Sequence, residues 1–581
     1  MKIDLVAIRL RLARPDALLY MALLGLLTGL CSGAVIITFR LVVENTQAFL
    51  LHQHHENYES LNTLWRLFFP LIGAILLALF FKTFANGFFV TGITKVMERM
   101  AYHQGYIKLQ GLFVQFIGAA CAIISGFSVG QEGPHAYLGA AAGSQLGQKL
   151  ALPNNSIRIM AACGVAAGIA ASFNTPLAGV IFALEVIMMD YSVASFIPII
   201  LSAVSATALS NAILGDQPAF VIPHFHLASL TDLPNLLFLS FVCGAMGALF
   251  ISLVEVITRK TRHIKVWRRI IMAGILMSIV GALVPEVMGI GYDTINSTIL
   301  AEYSIQMLFT LMIAKLIATS FCLALGIPGG MIGPAFFIGA LLGSLAGIAS
   351  HLLIGGESYL GFYAVIGMAA MFGACFQAPL AALTAIMELT YNPAIIMPSM
   401  LAIVTAQLVA SELFKKKSIY LTMLEVNGMN YDTHPVLQTL RNIGVTHEMD
   451  KAFIRTAALV NIEAIETYID QQQIHWLIID NKKNQPIQLM PMVELVKILK
   501  RFKEQDITEQ QELIDLLEVP ATRFQLAPIS YQASLQEAHV LIESDKAEAL
   551  FVVYQQDIKQ KEYNQIQGVL TSQMIEHAYQ L

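Results

Sequence analysis

Three short stretches of the chain pair glycine or proline with backbone that could hold a small anion. They are Val90-Thr91-Gly92-Ile93-Thr94, Gly130-Gln131-Glu132-Gly133-Pro134 and Gly329-Gly330-Met331-Ile332-Gly333-Pro334. Each reads as the start of a helix, where unpaired N–H groups and the helix dipole favour negative charge by a few tenths to ~1 kcal/mol. Glycine lets the backbone approach the ion, and Thr91 adds a hydroxyl donor. Positive potential supplied without a full positive charge lets an anion bind and leave again. Glu132 stands inside the second stretch. An acid within apolar surroundings at membrane depth is a functional candidate by default. The competing reading is a helix-N-terminal carboxylate satisfied by nearby amides.

The elements that must position these residues are apolar and long. Such stretches run roughly 18–43, 65–85, 108–128, 158–189, 195–214, 234–257, 269–290, 305–325, 330–354, 361–390 and 394–413. Each is long enough to cross ~30 Å of hydrocarbon. Several are broken by glycine or proline, which exposes backbone groups that only protein or a watery cavity can cover. Breaks at paired positions point to a transport site.

The breaks are paired here. Gly164–Glu185 and Gly367–Glu388 correspond at an offset of 203, with Phe173/Phe376, Pro176/Pro379, Leu177/Leu380 and Glu185/Glu388 identical. Upstream, Gly133, Pro134, Gly139, Gly143 and Ser144 match Gly333, Pro334, Gly339, Gly343 and Ser344 at an offset of 200. Tight helix packing explains recurrent Gly and Ala. It does not explain Phe-x-x-Pro-Leu-Ala followed by Glu at one fixed distance, so the chain is read as an internal two-fold repeat.

Composition bounds the rest. Hydrophobic residues make up 56% of the 581 positions and charged residues 13%, with a mean hydropathy of +0.64, outside the soluble globular range. From Lys415 onward there are 16 basic and 22 acidic residues, so the last 167 positions carry 38 of the 75 charges. The first 414 residues suit lipid and the tail suits water. The tail alternates short apolar runs, such as Trp476–Ile479 and Ala549–Tyr554, with helix-like segments at Ile462–Gln472, Met490–Phe502 and Leu535–Glu543. It reads as a soluble α+β module in two similar halves divided near 505–523.

Several function classes fall away. The net charge of −5 and the lack of a basic patch with interleaved aromatics argue against nucleic acid. Neither a nucleophile–base pair nor HExxH is found, which argues against an enzyme. The six cysteines lie in apolar surroundings without metal-ligand spacing, and no metal is expected at them. His52, His54 and His55 form a cluster whose metal-binding reading is the weaker one, and Lys315 is expected to cap carbonyls or pair with an acid. His135 is expected to hydrogen-bond locally. Arg9, Arg11 and Arg14 precede the first apolar run without a cleavage site after it, which suggests a cytoplasmic N-terminus.

The ordered motifs resemble the CLC family of chloride channels and chloride/proton exchangers. Gly130–Pro134 is similar to its G(K/R)EGP motif, Gly326–Pro334 to its G-x-x-GG-x-(F/x)-x-P motif, and Val90–Thr94 to its GSGIP motif. The stretches beginning at Ser172 and Phe376, and Ser418-Ile419-Tyr420, follow in order. The resemblance covers about 20–420. It implies an all-α polytopic membrane domain (1–420) of two inverted-topology repeats with broken helices, about 18–215 and 234–420. A linker (421–433) and a C-terminal soluble α+β module would follow. The tail resembles paired cystathionine-β-synthase (CBS) domains, 434–506 and 520–581. That resemblance implies a cleft open to an adenine nucleotide, though no Gly-rich phosphate loop is present.

Roles follow from the resemblance. Glu132 would be the gating glutamate, competing with chloride and swinging away when protonated. Thr91 and Tyr420 would give hydroxyls to a central chloride, with Gly92, Gln131 and Gly133 lining the site and Met331 and Ile332 giving N–H groups. Protons, chloride, lipid and a second copy of the chain would be the partners, in a multi-pass cell membrane location with both termini cytoplasmic. The apolar stretches 195–214 and 394–413 would meet in the homodimer.

The sequence also departs from the family pattern. Thr91 replaces serine, Thr94 proline, Gln131 a basic residue and Ile332 phenylalanine. The exchangers' inner proton glutamate aligns with Val186, and its neighbour Glu185 is a weaker candidate for that path. Exchange is therefore expected, with a passive channel as the alternative.

Overall fold

The computed structural model describes residues 18–51, 58–84, 92–216, 220, 233–354, 360–429, 435–471, 473–481, 485–504, 513–545, 547–560, 563 and 565–580. Thr91 and the His52/His54/His55 cluster lie outside them. The chain forms two compact units. One comprises Met21–Leu150 and Ile157–Asp432, and the other comprises Met1–Tyr20, Ala151–Ser156 and Thr433–Leu581.

The first unit is helical. Its helices are α1 (Leu18–Leu50), α2 (Thr63–Thr83), α3 (Gly92–Tyr102), α4 (Leu109–Ile124), α5 (Glu132–Lys149), α6 (Asn154–Phe173), α7 (Pro176–Phe182) and α8 (Val193–Leu214). After these come α9 (Leu233–Thr261), α10 (Val266–Leu283), α11 (Tyr292–Ile299), α12 (Ile305–Leu325), α13 (Ile332–Ile354) and α14 (Leu360–Phe376). The unit closes with α15 (Pro379–Thr390), α16 (Ile396–Leu408) and α17 (Ile419–Val426). Among the described residues, nine helices are long and apolar enough to cross a membrane. Local chemistry sets their ends. Ser304 caps α12 by accepting from the Met307 amide, and Gly326, at φ +94°, stops it with its N–H on Cys322.

The two-fold pattern in the sequence becomes contact in space. In the first repeat a Cβ at Gly139 would lie 2.0 Å from the Gly164 carbonyl oxygen, and in the second a Cβ at Gly339 would lie 2.4 Å from that of Gly367. Thus α5 on α6, and α13 on α14, pack backbone against backbone, as small residues permit without any hydrophobic drive in lipid. The breaks before α5 and α13 meet as an antiparallel bridge, Gly130 N to Gly330 O at 2.9 Å and Gly330 N to Gly130 O at 2.6 Å. Backbone groups freed by the breaks therefore satisfy each other.

The repeats differ just after Glu185. Both shortened helices end on a left-handed residue, Met189 at φ 52° and Tyr391 at φ 49°, but the first has one residue more between its glutamate and that stop. The extra residue is taken up as a π turn over Ala183–Met188, which contains Val186. Such turns commonly mark an inserted residue at a working site.

The tail unit contains α18 (Pro435–Asn442), α19 (Val445–Glu448), α20 (Ile462–Asp470), α21 (Met492–Glu504), α22 (Leu535–Asp545), α23 (Gln555–Gln560) and α24 (Ser572–Gln580). Its main sheet is β1 (Phe453–Ala457), β3 (Trp476–Asp480), β4 (Pro486–Pro491), β6 (Phe524–Ser530), β7 (Ala549–Val553) and β8 (Gly568–Thr571), in that spatial order. A smaller pair joins β2 (Leu459–Val460) to β5 (Ile514–Asp515). Each half repeats one pattern, a parallel pair followed by an antiparallel neighbour, β1-β3-β4 and β6-β7-β8.

Packing divides the tail differently from the chain boundaries 434–506 and 520–581. Leu440, Val445 and Met449 enter the core of the second half with Ile529, Leu550 and Leu570. Ile514 and Leu516 enter the first with Leu477, Met490 and Leu495. Leu440–Met449, inside the first expected half, thus packs with the second, and Ile514 and Leu516, between the expected halves, pack with the first. The stretch expected as a linker from 421 is helical as far as Val426.

Candidate functional site

The convergence of α5 and α13 sets the site. Both helices begin in glycine-rich breaks, and their first turns face each other across the Gly130–Gly330 bridge. A Cβ at Gly133 would fall 2.8 Å from Gly330 Cα, and one at Gly92, whose φ is +52°, 3.1 Å from the Gly133 carbonyl carbon. The first turns of three helices, α3, α5 and α13, thus crowd one small volume, and their dipoles add there.

Glu132 fills that volume. It is fully buried, and its carboxylate lies among glycines. A Cβ at Gly130 would be 2.1 Å from its Oε2, at Gly330 2.9 Å from Oε2, and at Gly333 2.9 Å from Oε1. The amides of Glu132 itself and of Gly333 lie close to it. The Tyr292 hydroxyl donates to Oε1 at 2.5 Å, and Oε2 has no hydrogen-bond partner among the described residues. A carboxylate here occupies the kind of place that a bound anion would take.

The other candidates are placed as follows. Gly92, Gln131, Gly133, Met331 and Ile332 all lie at these helix starts, with Met331 and Ile332 buried. Tyr420, on α17, is 2% exposed, its ring stacked on Phe376 at 5.3 Å and edge-on to Phe182 at 6.5 Å. Its hydroxyl has no hydrogen-bond partner among the described residues, yet it lies within electrostatic reach of Glu132. A buried hydroxyl without a partner is costly unless something accepts from it. Tyr420 thus has a free donor to offer an anion.

Glu185 and Val186 lie elsewhere. The Glu185 carboxylate accepts from the amides of Leu380 (3.2 Å) and Ala381 (2.8 Å) at the start of α15, with the Tyr191 side chain close by. Val186 is buried in the π turn. His135 pairs with Ser172. Lys315 is fully buried, and its ammonium donates to the carbonyls of Val287 (3.2 Å), Gly289 (3.2 Å) and Ile290 (3.1 Å). It also lies over the Phe337 ring at 4.6 Å.

Two cavities flank the site. One, of about 550 Å³, is a polar vestibule whose walls include Arg40, Gln131, Asn174, Asn211, Tyr292 and Asn296. The other, between Phe173, Phe182, Ile332 and Phe336, holds only about 10 Å³, barely one water. Tyr292 touches both the vestibule and Glu132, and sequence reasoning missed it. Its signal was faint: a tyrosine after Gly289 and Gly291, both at positive φ, opening the short polar helix α11.

Comparison with known proteins adds the following. A family profile described as "Voltage gated chloride channel" matches residues 73–411. A ClcB-like chloride channel protein of Ralstonia nicotianae is 31% identical over 352 residues, covering 59% of this chain and 82% of that protein. The H(+)/Cl(−) exchange transporter ClcA of Vibrio parahaemolyticus is 31% identical over 325 residues, covering 54% and 68%. Among solved structures, a slow cyanobacterial Cl−/H+ antiporter aligns with a TM-score of 0.63 at 22% identity, over 70% of this chain and 97% of that one. A eukaryotic CLC transporter aligns with a TM-score of 0.62 at 19% identity, over 96% and 98%. At these identities the structural matches speak for the fold.

Proposed function

Because the chain belongs to the voltage-gated chloride channel family, we propose that it carries chloride or a similar small anion across a membrane in exchange for protons, gated by Glu132. The carrying observation is the fully buried Glu132 carboxylate, seated among Gly130, Gly330 and Gly333 between facing helix starts. The protein's own anion occupies an anion site. Protonation removes the charge that holds it there, the side chain leaves, and chloride takes its place. One group thus binds a proton and frees the site, which is the minimum needed to link the two fluxes. Met331, Ile332 and Gly133 supply amides, and Tyr420 a hydroxyl, to the ion beyond the gate; Gly92 and Gln131 complete the lining, and Thr91, outside the described residues, is proposed to add a second hydroxyl.

The test is chloride efflux from liposomes holding the purified chain, across a range of pH. The wild type should release chloride faster in acid. Glu132→Gln should release it at a rate that pH does not change. A mutant that keeps the wild-type pH dependence contradicts the assignment.

A second reading has its own observation. Val186 stands where the exchangers' inner proton acceptor would be, and Glu185 is engaged by the start of α15. An apolar side chain relays no proton, which favours a passive chloride channel. Water reaching Glu132 from the inner side is the alternative that keeps exchange.

We propose a homodimer with one pathway per subunit. Support comes from the apolar outward faces of α8 (Val204, Ile213) and α16 (Met397, Met400, Val404, Leu408), placed alike in the two halves. Arg259, Lys260, Arg262, Lys265, Arg268 and Arg269 crowd the turn between α9 and α10, with no acid between Val256 and Pro285. By the positive-inside rule that turn faces the cytoplasm; we propose the cell membrane as the location, with both termini also cytoplasmic. The tail is proposed as a regulatory CBS-like pair open to an adenine nucleotide.

A further inference from the structure

Tyr292 stands between the 550 Å³ vestibule and the buried carboxylate of Glu132. Among the described residues it is the one side chain that hydrogen-bonds that carboxylate, Oη to Oε1 at 2.5 Å. We propose that Tyr292 is the latch of the gate, a positioning residue whose hydroxyl holds the Glu132 carboxylate in its glycine cradle until the carboxylate takes up a proton. This rests on reading Glu132 as the gate, and names what holds it shut.

The bond discriminates between protonation states. A phenol donating to a carboxylate makes a charge-assisted hydrogen bond, roughly twice as strong as the neutral bond left after protonation. Amides of the helix starts serve any anion equally well, including the chloride that replaces the side chain. The phenol is different, because it reaches one oxygen of the closed carboxylate from the vestibule side.

The surroundings fix where the phenol points. The Tyr292 ring packs edge-on to Phe220 at 5.2 Å and against Phe173 at 6.0 Å. The turn that leads to it is tied by Lys315, whose ammonium holds the carbonyls of Val287, Gly289 and Ile290. Gly291, at φ +86°, then aims Tyr292 as the first residue of α11. A Cβ there would strike Phe337 at 2.8 Å, so the turn has little freedom to relocate the ring.

The other titratable and charged groups around the carboxylate come from several elements. Lys315 on α12 and Tyr420 on α17 interact with it electrostatically. His135 lies one turn along α5, and Asp293 follows Tyr292 on α11. Across the vestibule Arg40 and Glu44 on α1 pair at 3.1 Å. All of them remain when only the phenol oxygen is removed.

The experiment is chloride efflux against pH from liposomes holding the full chain, for wild type, Tyr292→Phe, Glu132→Gln and the double variant. Phenylalanine keeps the ring packing and loses the donor. A carboxylate without its donor is protonated more easily, so the Tyr292→Phe profile moves to higher pH, by about one unit for a hydrogen bond to a charged group. In the Glu132→Gln background the profile is flat, and the second change leaves it flat. A Tyr292→Phe profile that superposes on wild type, with Glu132→Gln flat, overturns the latch and spares the gate. A pH effect of Tyr292→Phe that persists without the Glu132 carboxylate also overturns the latch. PH dependence surviving in Glu132→Gln alone overturns the gate reading itself.

Discussion

Glu185 and Glu388 each cap the other's repeat. Glu185 accepts from the amides of Leu380 and Ala381 at the start of α15, while Glu388 accepts from those of Leu177 (2.9 Å) and Ala178 (2.8 Å) at the start of α7. A carboxylate at a helix start satisfies orphan N–H groups and complements the dipole. Two such caps, exchanged across the pseudo-two-fold, fasten the repeats to each other. Glu388→Ala and Glu185→Ala each remove a cap and should cost about 1 kcal/mol, read as a lower melting temperature in detergent. Glu185→Gln should leave any proton coupling in place, and its loss would assign Glu185 to the proton path.

The close backbone crossings make a second prediction. A Cβ at Gly367 would lie 2.1 Å from the Gly339 carbonyl oxygen and 2.9 Å from the Gly343 amide nitrogen. Neither neighbour is a flexible side chain, so α13 and α14 must part. Gly367→Ala should destabilise the helical unit by about 1–3 kcal/mol, as overpacking does. Thermal unfolding should show it, and an unchanged melting temperature would mean that the helices can separate freely.

How much of this was legible in the sequence varies from residue to residue. The recurrence of Phe-x-x-Pro-Leu-Ala with a glutamate nine residues after the proline marked a repeat, since the same local chemistry must start and cap both shortened helices. Glycines at 139 and 339 marked close packing for the same reason. The Tyr292–Glu132 contact joins residues 160 positions apart and belongs to no repeated motif, so spacing could not reveal it. The π turn around Val186 reflects one extra residue, visible only when both helix ends are placed. In the tail, the α18–α19 segment packs with the second half rather than with the first, where its chain position puts it, and β5, from the stretch between the halves, packs with the first, because burial of apolar faces, not sequence adjacency, decides the partner.

Asp450 carries a pH prediction for the tail. Burial pushes its carboxyl up, but the Ala452 amide, the His475 ring (2.7 Å) and the Trp476 indole (3.1 Å) outweigh that and hold it below its ordinary value of 3.8. A carboxyl depressed in the folded state adds stability above its unfolded value, and that stability fades as pH falls through the folded one. The tail should therefore loosen below pH 3.8, and Asp450→Asn should weaken it at neutral pH. Tryptophan emission from Trp476 would follow both changes. Emission from the variant identical to wild type at neutral pH would show that the carboxylate contributes nothing.

Removal of residues 433–581 leaves α17 and Tyr420 in place. Chloride efflux by the shortened chain should persist, with altered regulation or assembly. Calorimetric titration of the full chain with ATP, ADP and AMP should give heat that the shortened chain lacks. No heat from any of the three would remove the nucleotide from the account.

Exchange itself is tested most directly by proton movement driven by a chloride gradient, in sealed liposomes at a controlled membrane potential. With Glu132 as the shared carrier, the wild type should move protons uphill against their own gradient, and Glu132→Gln should pass chloride and move none. Large chloride flux in the wild type with no proton movement would contradict exchange. It would make the protein a channel, with Val186 as the residue that separates the two ions.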